Sequence, residues 1–137
     1  MEGRALLVIV DTTVWASYFN GEETPYVVRL EHALAEEEDL AILPVIVTEV
    51  LQGFRSERGF ITGRDLLLAL PILAPSLQTH VEAARLLRRL RAKGVTVRGA
   101  IDCIIAQTCV ERDIELLSSD SDFRRIADHS PLRLCQV

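Results

Sequence analysis

Four carboxylates, Asp11, Glu49, Asp102 and Asp120, occur where an alternating α/β chain would gather them at one end of its sheet. Asp11 follows the apolar run ALLVIV and Asp120 follows IELLSS, whereas Glu49 lies in PVIVTEVLQGF and Asp102 in GAIDCIIAQTC, both largely apolar helical segments. A carboxylate in apolar surroundings is costly to keep ionised unless a cation or hydrogen bonds compensate. Four oxygen donors at one crevice suit Mg²⁺ or Mn²⁺, hard cations that prefer carboxylate and water to thiolate or imidazole. Such a centre can activate a water while the cation stabilises charge on a phosphodiester. Thr13 and Ser118, close to Asp11 and Asp120, are placed either to orient carboxylates or water or to cap the local backbone.

Taken singly, the acids differ in what they imply. Asp11 and Asp120 each follow a strand and precede a helix, where aspartate commonly accepts backbone N–H groups as a cap. Glu49 has Val45 and Ile46 one turn before it and Gln52 and Gly53 one turn after, a mixed face compatible with solvent. Asp102 resists a bland account, because Ile105, Ala106 and Cys109 share its helical stripe. Its structural alternative is a first-turn acid stabilised by the helix dipole, since the helix begins near Gly99.

The elements that must position these groups alternate in type. Residues 5–10 read as a buried strand, TTVWASYF as a helix, and Pro25 opens a second helix running to about Glu38. LAIL at 40–43 is a strand, and Pro44 starts the helix that carries Glu49, with Gly53 near its end. A helical stretch from Arg64 to Leu70 stops before Pro71, and PILA at 71–74 reads as a short strand. Ser76 caps a helix over 77–93, whose buried face is expected at Val81, Ala84, Leu87 and Leu90, and Gly94 ends it. A helix over 100–112, the strand IELL, a short helix over 121–127 and a final strand LRLCQV complete the chain. The pattern predicts one α/β domain over 1–137, with a central, mostly parallel sheet of four to five strands flanked by helices on both faces. Its ligand crevice should lie beyond the carboxyl ends of the strands.

Composition supports that frame and excludes some classes. Of the 137 residues 49% are hydrophobic but only 5% aromatic, so the core is aliphatic. No apolar run approaches the roughly 20 residues of a membrane span, and the run after Arg4 is too short for an export signal, so a cytoplasmic location is expected. Cys103, Cys109 and Cys135 form no CxxC pair and read as reduced core residues. His32, His80 and His129 lack helical zinc-site spacing. A net charge of −5 argues against a protein that coats nucleic acid with a wholly basic surface. Arg85, Arg88, Arg89, Arg91, Lys93 and Arg98 nevertheless lie in a stretch without acid, which reads equally as a local phosphate contact or as a solvated helix face.

In order along the whole chain, VDTTVW, TEVLQG, RGAIDCIIAQTC and LLSSDSDF resemble the successive acidic motifs of PIN-domain ribonucleases, especially VapC-type toxins. The resemblance implies a parallel sheet flanked by helices, in agreement with the reading above. It makes Asp11, Glu49, Asp102 and Asp120 the catalytic and metal-binding acids, with Asp122 as a fifth carboxylate competing with Asp120 for the metal, and Thr13 and Ser118 the supporting hydroxyls. It implies a Mg²⁺-dependent endoribonuclease, with Mn²⁺ as a substitute, whose products carry a 5′-phosphate and a 3′-hydroxyl. It further implies a toxin paired with a small antitoxin that wraps it and sets a basic side chain in the acidic pocket, and a homodimer. Arg85, Arg88, Arg89 and Arg98 then become candidates for holding the RNA backbone. Trp15 and Phe19, four apart on the first helix, read as packing or dimer contacts rather than base-stacking platforms.

Other readings remain in contention. A catalytically silent PIN domain would bind RNA or protein only. A receiver domain would need a lysine near its acids, and the single lysine, Lys93, falls at a helix end. A phosphatase of the haloacid dehalogenase type would want aspartate at position 13, where Thr13 stands. The RNA target, whether transfer, ribosomal or messenger RNA, has no readable code here.

Overall fold

The computed structural model describes residues 7–137. Three short strands, β1 (Val8–Val10), β2 (Leu40–Ala41) and β3 (Glu115–Leu117), form a parallel sheet in the order β2-β1-β3. All but Glu115 of their residues are buried, so both faces of the sheet are covered by helices. The helices are α1 (Thr12–Phe19), α2 (Pro25–Ala35), α3 (Pro44–Leu51), α4 (Glu57–Leu68), α5 (Leu77–Ala92), α6 (Ala100–Arg112) and α7 (Ser121–Asp128).

The central position of β1 fixes the site. Its register pairs Val10 with Leu117, and the Asp11 N–H donates to the Leu117 carbonyl at 3.0 Å. The carboxyl ends of β1 and β3 therefore finish side by side, and the chain leaves them into α1 and, after a short turn, α7. Both departures are capped by aspartate: Asp11 accepts from the Thr13 and Val14 N–H groups, and Asp120 from that of Asp122.

Several expectations need correction. Among the described residues the sheet has three strands, not four or five. PILA and LRLCQV contribute only single parallel bridges, Ile72 to Ile42 and Leu134 to Leu116, one on each edge. Pro71 and Pro75 bound the first and Pro131 precedes the second, and a residue without an N–H ends a ladder. The first strand begins at Val8; Ala5 and Leu6 lie outside the described residues. The helix expected to begin at Arg64 begins at Glu57, where the Ser56 hydroxyl accepts the Gly59 N–H.

The buried face of α5 also differs. Thr79, Ala83, Leu86 and Leu90 point inward, while Val81 is 43% exposed. A fixed step of three turns about 300° on a helix of roughly 3.6 residues per turn, so such a row slides about 60° per step and leaves the core. The observed steps of four, three and four follow the axis. Finally, α2 stops at Ala35 rather than Glu38. Glu37 adopts φ 51°, and the Glu38 N–H returns to the Ala33 carbonyl while that of Glu37 returns to Leu34. This is the Schellman closure that α1 makes through Gly21 and α5 through Gly94.

On α1, Trp15 is fully buried and stacks on Phe19 with ring centroids 6.0 Å apart, and Phe19 meets Phe54 edge-on at 5.1 Å. Among the described residues no acceptor reaches the Trp15 indole Nε1–H. Among the described residues no helix is long and apolar enough to cross a membrane.

Candidate metal centre

Asp11, Glu49, Asp102 and Asp120 line one cleft of about 410 Å³, joined by Thr12, Thr13 and Arg98. The cleft lies at the carboxyl ends of β1 and β3, where a parallel sheet offers its ligand crevice.

Asp11 is the most enclosed of the four, 2% exposed. Its Oδ1 accepts from the Thr13 hydroxyl at 2.6 Å as well as from the Thr13 N–H, and its Oδ2 accepts from the Ser118 hydroxyl at 2.7 Å. Burial raises its pKa, and these hydrogen bonds oppose the rise. Asp11 is thus both the helix cap and a cleft acid, and the two readings of the sequence are compatible. Thr13 and Ser118 do orient a carboxylate, and Ser119 in turn donates to the Thr13 hydroxyl at 3.1 Å.

Glu49 reaches the cleft from the second turn of α3. Its Oε1 accepts from the Thr12 hydroxyl at 2.7 Å, which leaves Oε2 available. Thr12 escaped the sequence reading because its partner is 37 residues away. Asp102 projects from the first turn of α6, with Ile105, Ala106 and Cys109 of its stripe buried. Its pKa is pushed up to about 6, first by burial, then by the negative charge of Asp120, Asp122 and Asp11, with Arg98 opposing.

Asp120 and Asp122 divide the fourth corner. Asp120 faces the cleft: Oδ1 caps α7 and Oδ2 accepts from Arg98 Nη2 at 2.6 Å. Asp122 is 4% exposed and does not line the cleft. Its Oδ2 accepts the Arg98 backbone N–H at 2.9 Å, and its Oδ1 accepts from Arg125 Nη2 at 3.0 Å. Arg125 lies three residues on in α7, a spacing that by itself points to an ion pair with Asp122. Arg85, Arg88 and Arg89 are exposed on α5 and do not line the cleft; of the arginine candidates only Arg98 does.

The residues fit a hard divalent cation. One carboxylate oxygen each from Asp102, Asp120 and Asp122 lies within 4.8 Å of the others, and the donor set is wholly oxygen. Acids held this close repel one another without a counter-charge, and that repulsion adds to burial in raising the pKa of Asp102.

Comparisons with known proteins agree with this architecture. The VapC ribonuclease Mb1587 of Mycobacterium bovis is 29% identical over 123 residues, covering 88% of this chain and 92% of that protein. The structure of VapBC2 from Rickettsia felis, bound to a promoter DNA fragment, matches with a TM-score of 0.75 at 21% identity, covering 95% of this chain and 98% of the other. VapC20 of Mycobacterium tuberculosis, described as a sarcin-ricin loop cleaving toxin, matches with a TM-score of 0.68 at 14% identity over 85% of this chain and 92% of its own. These two share the fold. The family model described as PIN domain matches residues 8–129, a span that holds every acid of the cleft, and the chain therefore belongs to the PIN domain family.

Proposed function

We propose that this chain is a metal-dependent endoribonuclease, the toxin of a toxin-antitoxin pair, with Asp11, Glu49, Asp102 and Asp120 as its working acids. The observation that carries the proposal is the convergence of these four residues, from separate segments, on one cleft. The similarity to VapC ribonucleases supports RNA as substrate, and the VapBC structures support a small antitoxin partner. Asp122 serves behind the cleft, bracing the 98–99 turn and α7, rather than as a primary ligand.

A bound Mg²⁺ would neutralise the acids, lower the pKa of a water and offset charge building on the phosphoryl oxygens. Asp102 and Asp120 would hold it, with Asp11 kept in fixed orientation by Thr13 and Ser118. Glu49, whose Oε1 is held by Thr12, would accept the proton of the attacking water through Oε2. Water oxygen bonds to phosphorus, the P–O3′ bond breaks, and the departing oxygen takes up a proton, giving a 5′-phosphate and a 3′-hydroxyl.

Purified chain should cleave an RNA pool with Mg²⁺, and cleavage should disappear with chelator, Asp11→Asn or Asp102→Asn. Sequencing the 5′ ends of the products would then define the target. Folded protein that binds Mn²⁺ yet cleaves no RNA would make the catalytically silent reading the better one. For the toxin role, induction of the chain alone should arrest growth, and co-expression of the product of an adjacent small open reading frame should relieve it. Normal growth despite soluble accumulation would refute that role.

A further inference from the structure

Among the residues lining the acid cleft Arg98 is the cation, and its two halves behave differently. Its backbone is pinned, since its N–H donates to the buried Asp122. Its side chain is 77% exposed, with Nη2 2.6 Å from Asp120 Oδ2 and Nε at a marginal 3.5 Å from Asp122 Oδ2. Asp120 Oδ1 already caps α7, which leaves Oδ2 as the less committed oxygen that Asp120 offers a cation. The guanidinium thus stands on the lone pairs a metal ion would use.

Three features make the contact exchangeable rather than structural. An ion pair in which one partner is largely exposed is held weakly. A cation held by Asp102 and Asp120 would repel a guanidinium that touches the same Asp120 oxygen. Once released, the planar fork suits a phosphate as well as it suits a carboxylate. Its backbone anchor keeps it at the cleft rim throughout.

We propose that Arg98 is a displaceable internal counter-cation: it holds Asp120 Oδ2 until a divalent ion binds, and the ion releases its guanidinium to a phosphate of the substrate. The inference rests on the metal-dependent reading above and deepens it, because substrate binding and metal loading become coupled through one side chain. The coupling is reciprocal, so RNA that engages Arg98 also favours the ion.

Calorimetric titration of full-length wild type, Arg98→Gln and Arg98→Lys with Mn²⁺ near neutral pH tests the first half. Removing the competing charge should tighten Mn²⁺ binding by about five- to tenfold in Arg98→Gln, with Arg98→Lys in between. Unchanged or weaker binding in Arg98→Gln, with wild type still binding, would overturn the counter-cation role and leave the metal reading intact. No Mn²⁺ binding by any of the three would overturn the metal reading and the inference with it. The high exposure of the side chain favours folding of both variants, and a cooperative melt checks it. For the second half, an oligoribonucleotide with 3′-methylenephosphonate linkages, which have no P–O3′ bond to break, is titrated with Ca²⁺ present at several salt concentrations. Wild type should show a steeper log–log salt slope than Arg98→Gln by about 0.7, one single-strand phosphate contact. Equal slopes would overturn the release.

Discussion

Asp102 concentrates opposing demands in one side chain. Its carboxyl titrates near 6 in the fold against an ordinary 3.8, chiefly because it is half-buried and surrounded by other acids. Between those values the folded chain keeps a proton that the unfolded chain releases. The contribution of Asp102 to metal-free stability is therefore largest below about 4, declines as pH rises through 6 and stays low above it. Metal-free Asp102→Asn should accordingly melt higher than wild type at pH 7, with the gap narrowing toward pH 5, as thermal denaturation by circular dichroism would measure. Mn²⁺ affinity should rise with pH up to about 6 and then level off, since the ion must displace that proton. Thr12 offers a finer test. Thr12→Val removes the hydroxyl that orients Glu49 and should lower cleavage by about tenfold with little change in melting temperature. Asp102 was legible because helical periodicity alone set it on a buried stripe. The Thr12 and Glu49 contact was not, because it joins residues brought together only by the packing of α1 on α3.

At the scale of elements, helix starts were easier to read than strand lengths. Asp11, Pro25, Pro44 and Ser76 each opened a helix where their capping or ring chemistry predicted. Strand edges escaped because a short apolar run does not reveal whether its N–H groups find a ladder partner, and Ile72 and Leu134 find only one each. The corrected face of α5 can be checked directly: Leu86→Ala should cost about 2–5 kcal/mol, whereas Val81→Ala should stay within about 0.5 kcal/mol, by denaturant unfolding. The C-terminal closure of α2 places glutamate in a left-handed slot that glycine occupies in α1 and α5. Glu37→Gly should relieve that conformation and stabilise the chain by about 0.5–1 kcal/mol. A loss of stability would mean that the Glu37 side chain contributes more than its backbone costs.

The whole molecule works as a frame that brings distant segments to one end of a small sheet. β1 leads into Asp11, β3 leads through Ser118 to Asp120, and α3 and α6 lean in with Glu49 and Asp102. The alternating pattern set four acids at one end of the sheet, and one cleft holds all four, but the turn geometry that puts Asp120 in the cleft and Asp122 behind it is not encoded by residue types. Because the native cleft alone assembles these acids, cation binding should stabilise the fold by mass action. Mn²⁺ at about 100 times its dissociation constant should add about 2.7 kcal/mol, reversed by chelator, and a cation-independent melting temperature would deny the site. The frame also carries its own optical gauge. The chain has a single tryptophan, sealed from water on the helix that Asp11 caps, with no acceptor for its indole N–H among the described residues. Its fluorescence should be shifted toward the blue in the native state and move to the red when α1 lifts from the sheet. Opening of the helix that anchors the deepest acid of the cleft can thus be followed by emission colour, with no label added.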